Sequence, residues 1–214
     1  MKIICLILAR SGSQRLKNKN KKKIMGSSLI ERTVQFAEKS GLYSEIYIST
    51  DDVSIVDAYK NRILVPWIRP KKYAMAKSSS EVSILHFLKW YKKKLSKKST
   101  CFMLLQPTSP FRKILSFKRA IKKFKNNGYI NSIVGVSPNK YNYKNSNIIL
   151  INNKKFFVNG SLYMTTIDNF LKKKTFFNSG TSFHIQKSIQ ESIDIDTHTD
   201  LLKARKLAKL NVIF

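Results

Sequence analysis

The sequence predicts an α/β domain in which helices cover both faces of a mostly parallel sheet, giving three layers. Short apolar runs alternate with segments of helical periodicity, and the turns between them are short. Such alternation is typical of strand–helix–strand units, because a helix returns the chain to the start of the next parallel strand. The 214 residues suffice for one domain and no linker divides them, so we predict a single domain over residues 1–214.

The elements of this sheet are expected in the first two-thirds of the chain. Strands are predicted at Lys2–Leu8, Glu45–Ser49, Ile63–Val65, Thr100–Leu105 and Ser132–Val136. Helices are predicted at Ser28–Ser40, Val53–Lys60, Ser80–Lys94 and Lys113–Asn126. Ligands bind such sheets at the carboxyl ends of the strands, so the loops after Leu8, Ser49 and Leu105 are expected on one rim.

The pattern changes from Lys140 onward, where Asn, Lys and aromatic residues become frequent. We predict a short β excursion over Tyr141–Phe157, a strand at Ser161–Thr165, a short helix at Ile167–Lys173 and a closing helix at Thr197–Leu210.

Charge is the unusual feature of the composition, since 41 Lys and Arg residues against 12 Asp and Glu residues give a formal net charge of +29. A nucleic-acid-binding protein is the first interpretation of such a value. The lysines are scattered over the whole chain without a zinc-finger, RRM or KH pattern, so we expect no specific nucleic-acid partner. A positive field still favours anionic substrates such as a nucleoside triphosphate and a sugar acid.

The apolar segments also bear on the compartment. No apolar run reaches the roughly 18 residues that cross a bilayer, so we predict no membrane association. Cys5 and Cys101 each lie in a predicted strand, which favours buried, reduced thiols in a cytoplasmic protein.

The first loop combines small and basic residues over positions 9–20. Small residues let backbone N–H groups approach an anion, and basic side chains neutralise phosphate charge. The spacing differs from the GxxxxGK[ST] pattern, which excludes a P-loop. A phosphate-binding loop and a merely solvated basic loop both remain open for this segment.

Two further motifs carry polar residues that chemistry could use. Residues 104–112, LLQPTSPFR, form a strand that ends in a rigid turn, either a helix cap or a binding loop presenting Gln106, Thr108, Ser109 and Arg112. Asp194 and Asp196 are two residues apart, so in an extended segment their carboxylates point to the same side. They suit a hard divalent cation, while capping of the last helix by Asp196 or Thr197 is a compatible alternative.

Six motifs in this order resemble those of the acylneuraminate cytidylyltransferase (CMP-sialic acid synthetase) family, which includes the enzymes for pseudaminic and legionaminic acids. They are the Arg10 loop, Ser49-Thr50-Asp51-Asp52, Arg69-Pro70, residues 104–112, Asn159-Gly160-Ser161-Leu162-Tyr163 and Ser192–Asp196, and the match runs from Lys2 to about Leu207. The resemblance implies a nucleotide-diphospho-sugar transferase-like, Rossmann-like fold. It also implies transfer of CMP from CTP to an acidic nine-carbon sugar, with release of pyrophosphate.

The resemblance further implies roles for individual residues. Nucleotide binding is assigned to Arg10, Ser11, Gly12, Ser13, Arg15, Lys19, Asn20, Arg69, Ser79 and Ser80. Sugar binding is assigned to Gln106, Thr108 and Lys144. Asp194 and Asp196 match the Mg²⁺ ligands of the family and, with Arg10, are expected to carry catalysis. CTP, an acidic sugar and a second copy of the chain in a homodimer are the implied partners.

The chain departs from the family pattern in three places. Gln14 stands where the family commonly has Lys, and Arg15 beside it is expected to supply the missing charge. The acidic residue usual after the Arg-Pro element is absent from residues 74–77. The arm that carries sugar-binding arginines and the dimer contact is shortened within residues 141–158, so we expect nucleotide binding to survive better than sugar specificity.

Two alternatives accompany this interpretation. One is the same chemistry on another acidic sugar, such as that of a CMP-KDO-type synthetase, although those enzymes usually lack the QPTSP form. The other is a non-catalytic, polyanion-binding relic of the fold, which the net charge of +29 and the shortened arm motivate.

Overall fold

The computed structural model is built around one seven-stranded sheet and describes residues 1–75, 78–95, 101–129, 131–141 and 148–210. The strands are β1 (Ile3–Ala9), β2 (Lys23–Ile24), β3 (Ser27–Ser28), β4 (Glu45–Thr50), β5 (Cys101–Leu105), β6 (Ile133–Pro138), β7 (Ile148–Ile151), β8 (Lys154–Thr166) and β9 (Ser182–Ile185). The helices are α1 (Leu29–Ser40), α2 (Val53–Tyr59), α3 (Ser80–Leu95), α4 (Ile114–Asn126), α5 (Ile167–Lys173) and α6 (His198–Lys209). Strands β2 and β3 form a separate two-stranded ribbon.

The strand order in the main sheet is β4-β1-β5-β8-β6-β9, with β7 paired to β8. Strand β1 is parallel to both β4 and β5, and β6 is parallel to β9. Strand β8 lies antiparallel between β5 and β6, so it alone opposes the common direction of the path. The prediction of a mostly parallel sheet is therefore confirmed, and Ala9, Thr50 and Leu105 end their strands at one edge.

Side chains that alternate along β1 build a core on each face of the sheet. Cys5 and Ile7 pack with α1 and α4, whereas Ile4 and Leu6 pack with α3 and α5 on the opposite face. This period of two is expected for a strand that is covered on both sides, and it produces the three predicted layers. Cys5 and Cys101 are fully buried and are not joined in a disulfide, and burial raises the pKa of the Cys5 thiol.

A third buried cluster lies beyond the edge of the sheet and joins segments that are distant in sequence. It is made of Leu16, Ile24, Leu29, Phe111, Ile193, Ile195, Leu201, Ala204 and Ala208. These residues come from the first loop, the β2–β3 ribbon, the start of α1, the turn after β5, the segment before α6, and α6 itself. We call this group the rim cluster, and it packs α6 beneath the carboxyl edge of β1 and β5.

Most predicted elements match the observed ones to within two residues, and the exceptions have local causes. The prediction of a strand at Ile63–Val65 is wrong. Only an isolated bridge joins Leu64 to Tyr47, because Pro66 interrupts further pairing. Strand β8 begins at Lys154 rather than Ser161, and β9 was not predicted.

The predicted β excursion is a hairpin formed by β7 and the start of β8. Asn152 and Asn153 form its two-residue loop with φ values of 48° and 60°, as a type I′ turn requires. Residues 142–147, which complete the excursion, lie outside the described residues. Across the described ranges, none of the helices combines the length and apolar character needed to span a bilayer.

Candidate active site

A polar cavity of about 580 Å³ opens at the carboxyl edge of β1, β4 and β5. Four segments line it: the loop after β1, the segment from Arg69 to the start of α3, the turn after β5, and the segment before α6. The lining residues are Leu8, Arg10, Ser13, Gln14, Arg15, Lys19, Asn20, Arg69, Tyr73, Ser78, Ser79, Ser80, Ser83, Gln106, Pro107, Thr108, Asp194 and Asp196. The cavity therefore lies where the sequence placed the ligand site.

Nearly all the residues that the resemblance assigned to the nucleotide, the sugar or Mg²⁺ line this cavity. The exceptions are Ser11 and Gly12, which belong to the first loop but do not line the wall. Lys144, the third residue assigned to the sugar, lies outside the described residues.

The first loop is held in shape by its own polar side chains. The Asn20 amide donates to the Arg10 carbonyl at 2.9 Å across the base of the loop. Asn18 adopts the left-handed conformation, with φ of 53°, and Leu16 anchors the loop in the rim cluster. Arg10 reaches across the cavity, where its Nη1 donates to the Met75 carbonyl at 2.9 Å. The loop thus has a defined shape and exposes its basic groups to the cavity.

The segment before α6 presents two carboxylates to the cavity. Ile193 and Ile195 point into the rim cluster, so the alternating Asp194 and Asp196 face the opposite side. The Ile195 N–H donates to the carbonyl of Thr108 at 2.8 Å, which ties this segment to the turn after β5. The predicted alternation of the aspartates is therefore present in the fold.

Asp196 lies between two cations of the first loop. Its Oδ1 accepts from Lys19 Nζ at 2.8 Å, and its Oδ2 lies 2.8 Å from Arg15 Nη2. Helix α6 is capped separately by Thr197, which forms a capping box with Asp200. Of the two caps considered from the sequence, Thr197 is the one observed, and Asp196 is left to face the cavity.

The turn after β5 divides its polar residues between the cavity and the interior. Gln106 and Thr108 line the cavity, as predicted. Ser109 and Arg112 were predicted to present polar groups at the rim, and this is wrong because their exposed fractions are only 1% and 6%. Arg112 Nη2 donates to the Gln106 carbonyl at 2.5 Å, and desolvation lowers the pKa of Arg112 to about 10. These two residues stabilise the turn from the interior.

A glycine on β8 allows the backbone to approach this turn. Gly160 has φ of 75°, and a Cβ there would lie 3.1 Å from both Gln106 Oε1 and Ser109 Oγ. The same Cβ would lie 3.8 Å from Asp194 Cγ, so Gly160 forms the floor between Gln106 and Asp194.

Comparison with known proteins gives this arrangement a family. A family model described as Cytidylyltransferase matches residues 4–214. The chain belongs to the cytidylyltransferase family. This cytidylyltransferase is 32% identical over 230 residues to the CMP-N,N'-diacetyllegionaminic acid synthase of Legionella pneumophila, covering 99% of this chain and 98% of the relative. It is also 29% identical over 223 residues to the N-acylneuraminate cytidylyltransferase of Escherichia coli, covering 93% of this chain and 50% of that protein.

Solved structures support the fold independently. A CMP:2-keto-3-deoxy-manno-octonic acid synthetase complexed with CTP superposes with a TM-score of 0.75 at 13% identity, covering 99% of this chain and all of the other. A 4-diphosphocytidyl-2C-methyl-D-erythritol synthase from Anaerococcus prevotii gives 0.67 at 13% identity, covering 97% and 98%. The nucleotidyltransferase fold expected from the sequence is confirmed.

Two of the three departures from the family pattern can be located in the cytidylyltransferase, and the alignment length bears on the third. Gln14 and Arg15 both line the cavity, so a cation is present beside the position where the family has Lys. In residues 74–77, where the usual acidic residue is absent, the carbonyl of Met75 accepts a hydrogen bond from Arg10. The Legionella alignment extends over 230 residues against the 214 of this chain, so the relative has residues where this chain has none.

A buried polar network beneath the floor was not predicted. Gln186 accepts from Asn159 Nδ2 at 2.8 Å and from Ser161 Oγ, and it donates to Glu191 Oε1 at 3.0 Å. Burial raises the pKa of Glu191, which is 4% exposed and lies three residues before Asp194. In a chain with only 12 acidic residues, the nearness of Glu191 to the aspartate pair was the signal that could have identified it.

The donor set at the cavity suits a magnesium ion that is shared with a substrate. Within the described residues, three or more His, Cys, Asp or Glu side chains do not gather into a metal-binding group. Mg²⁺ is usually held by one or two carboxylates together with substrate phosphates rather than by an all-protein cage. Asp194 and Asp196 beside the basic first loop fit that pattern.

Proposed function

We propose that this cytidylyltransferase transfers CMP from CTP to a nonulosonic acid and releases pyrophosphate, with Mg²⁺ as its cofactor. The observation that carries the proposal is the position of Asp196, 2.8 Å from both Arg15 and Lys19 on the wall of the cavity. A metal-binding carboxylate and triphosphate-binding cations must meet in this way if a metal–nucleotide complex is to lie between them. The printed names of the relatives supply the substrate class.

The first loop and Arg69 are the proposed nucleotide site. Arg10, Arg15 and Lys19 offer three positive charges to a triphosphate, and Asn20 fixes the loop that carries them. Arg69 is 2% exposed and lines the same cavity as Ser79 and Ser80, where it can donate to the nucleoside. Binding would require Arg15 and Lys19 to exchange Asp196 for phosphate oxygens.

The reaction forms one bond and breaks another at the α-phosphorus. The anomeric oxygen of the sugar acid bonds to that phosphorus, the bond to the bridging oxygen of pyrophosphate breaks, and the hydroxyl proton leaves. Two anions must approach each other, so the cationic wall formed by Arg10, Arg15 and Lys19 lowers their repulsion. Asp194 and Asp196 would hold Mg²⁺, which when bound screens the triphosphate and stabilises the charge on the leaving group.

Gln106 and Thr108 are the proposed sugar contacts. Both line the cavity beside Asp194, and buried Arg112 and Ser109 fix their backbone. A rigid turn of this kind can orient the anomeric hydroxyl toward the α-phosphorus, which contributes as much as charge does in bringing two reactants together. We also assign Lys144 to the sugar carboxylate, on the family resemblance alone.

The proposal extends to assembly and compartment. Strand β7 exposes Ile148 and Leu150, whose exposed fractions are 49% and 68%, on the hairpin that corresponds to the shortened arm. An apolar edge of this kind supports a homodimer, which light scattering on the purified chain can test. Two buried cysteines that form no disulfide and the proposed use of CTP support a cytoplasmic location.

A pyrophosphate-release assay tests the central proposal. The chain is incubated with Mg²⁺ and each of the four ribonucleoside triphosphates, together with a panel of sugar acids that includes neuraminate, legionaminate, pseudaminate and KDO derivatives. We expect release with CTP and a nonulosonate, and none with KDO or without a sugar. If CTP is not turned over with any sugar while nucleic acid binds with a steep salt dependence, the polyanion-binding alternative is favoured.

A further inference from the structure

Asp51 follows the last residue of β4 and contacts two of the segments that form the walls of the cavity, the first loop through Ser11 and the segment that begins at Arg69. Its Oδ1 accepts from the backbone N–H of Ser11 at 2.9 Å, and its Oδ2 accepts from Ser11 Oγ at 2.5 Å. Its Oδ1 also lies 3.6 Å from Arg69 Nη2. One carboxylate, 13% exposed, therefore joins the first loop to Arg69, which lines the cavity.

Arg69 is fixed at its backbone but has free donors at its side chain. Its N–H donates to the Thr50 carbonyl at 2.6 Å, which places it beside the end of β4. Nε and Nη2 are buried and have no hydrogen-bond partner among the described residues. Leaving buried donors unpaired is costly, so a guanidinium held in this way is prepared for an acceptor that arrives with a ligand.

We propose that Asp51 is a positioning residue for the nucleotide, one that fixes the first loop and Arg69 relative to each other before CTP binds. The inference rests on the proposed function, because the nucleotide is what both walls are proposed to contact. Without the carboxylate, Ser11 loses two hydrogen bonds and Arg69 loses its neighbouring charge. The nucleotide would then have to order both walls as it binds, and this lowers affinity.

The adjacent carboxylate provides a matched control. Asp52 accepts from the Ser54 N–H at 3.0 Å and so caps α2, and it pairs with Lys21 at 2.8 Å. Neither Asp51 nor Asp52 lines the cavity itself. An Asp→Asn change at either position removes one negative charge at the end of the same strand, but only the change at Asp51 acts on the contacts with Ser11 and Arg69.

The test compares Asp51→Asn and Asp52→Asn in the full chain by calorimetry with CTP and Mg²⁺ and by steady-state kinetics. Asn at position 51 can still accept from the Ser11 N–H, but it loses its charge beside Arg69. We expect Asp51→Asn to weaken CTP binding and to raise KM for CTP by roughly ten-fold, with KM for the sugar changed by less than about two-fold. Asp52→Asn is expected to leave CTP affinity within about two-fold of the wild type.

A second variant keeps the inference testable if Asp51→Asn folds poorly. Ser11→Ala removes one hydroxyl from an exposed loop residue and is expected to weaken CTP binding by roughly two- to five-fold. In the double variant the two losses should be less than additive, because both changes remove the same contact.

The outcomes separate the inference from the proposed function. Equal CTP affinities for wild type, Asp51→Asn and Ser11→Ala would overturn the positioning role while leaving the proposed function intact. A loss shared equally by Asp51→Asn and Asp52→Asn, tracking a lower Tm, would overturn it as well, since it would indicate general destabilisation. Absence of CTP binding by the wild type would overturn both.

Discussion

Replacing Ile195 by Ala tests whether the rim cluster sets the geometry of the site. Ile195 is fully buried in that cluster, lies between the two aspartates and donates its N–H to Thr108. The change removes three buried carbon atoms, which at ~0.8 kcal/mol per methylene amounts to about 2.4 kcal/mol of transfer free energy. With the cavity term added, we expect the free energy of unfolding to fall by roughly 3–4 kcal/mol.

The same change should also weaken binding of CTP with Mg²⁺. Leu16 and Ile24, which flank the basic part of the first loop, pack in the same cluster, so a cavity there loosens Asp196 relative to Lys19. Urea unfolding measures the first effect, and calorimetry at a temperature where the variant is folded measures the second. Ile195→Val should cost only about 1 kcal/mol and leave binding nearly unchanged.

A large-to-small substitution in the core at the amino end of β6, far from the aspartate pair in sequence, is the control for general destabilisation. Ile133 begins β6 and is 1% exposed in the core between the sheet and α4. Ile133→Ala should destabilise the chain by a similar amount but retain CTP affinity. The reasoning is refuted if Ile195→Ala is as stable as the wild type, or if both alanine variants lose CTP affinity equally.

Three further predictions concern the aspartate pair, the buried network and the floor of the cavity. Asp196→Asn should fold normally but lose roughly 100-fold or more in Mg²⁺-supported pyrophosphate release, and retained activity would contradict the assigned role. Burial raises the pKa of Glu191, so the folded chain binds the proton of Glu191 more tightly than the unfolded chain does. The folded chain therefore loses stability as pH rises from the ordinary glutamate pKa to the raised pKa of the folded state. Glu191→Gln should therefore be more stable than the wild type at neutral pH and should lose this advantage below the ordinary glutamate pKa. Urea unfolding at several pH values measures the effect, and a difference in unfolding free energy that does not change with pH would contradict the raised pKa. Gly160→Ala places a methyl group against Gln106 and forces a positive φ on alanine, so the free energy of unfolding should fall by roughly 1–2 kcal/mol. Steady-state kinetics should show that KM for the sugar rises more than KM for CTP. An unchanged KM for the sugar would contradict the placement of Gln106.

Local patterns predicted the sheet and helices because burial on both faces leaves a clear signature in short segments. The apolar run Ile3–Ala9 indicates a buried strand and the periodic pattern of α1 indicates an amphipathic helix, and both elements were predicted. Strand β9 was missed since SFHI is short and mixed in polarity, and it becomes a strand only through pairing with β6. The segment at residues 63–65 had the composition of a strand, but it pairs with β4 only at the single bridge between Leu64 and Tyr47.

Those features of the site that depend on residues close together in sequence could be predicted. The spacing of Asp194 and Asp196 predicted their common direction, and burial of Ile193 and Ile195 supplies the reason. The turn after β5 was harder, because nothing local distinguishes Thr108, which faces the cavity, from Arg112, which is buried beneath it.

Contacts between distant segments could not be derived from residue patterns alone. The pairing of Asp196 with Arg15 and Lys19 depends on the rim cluster, which spans the chain from Leu16 to Ala208. The bonds from Ser11 to Asp51 likewise depend on the parallel register of β1 with β4.

The most direct test of this account is a crystal structure with CTP and Mn²⁺, in which anomalous scattering locates the metal. We expect one manganese peak bonded to the carboxylates of Asp194 and Asp196 and to phosphate oxygens of CTP, with Arg15 and Lys19 turned from Asp196 toward the triphosphate. Manganese bound away from these aspartates, or CTP bound outside the cavity, would contradict the account.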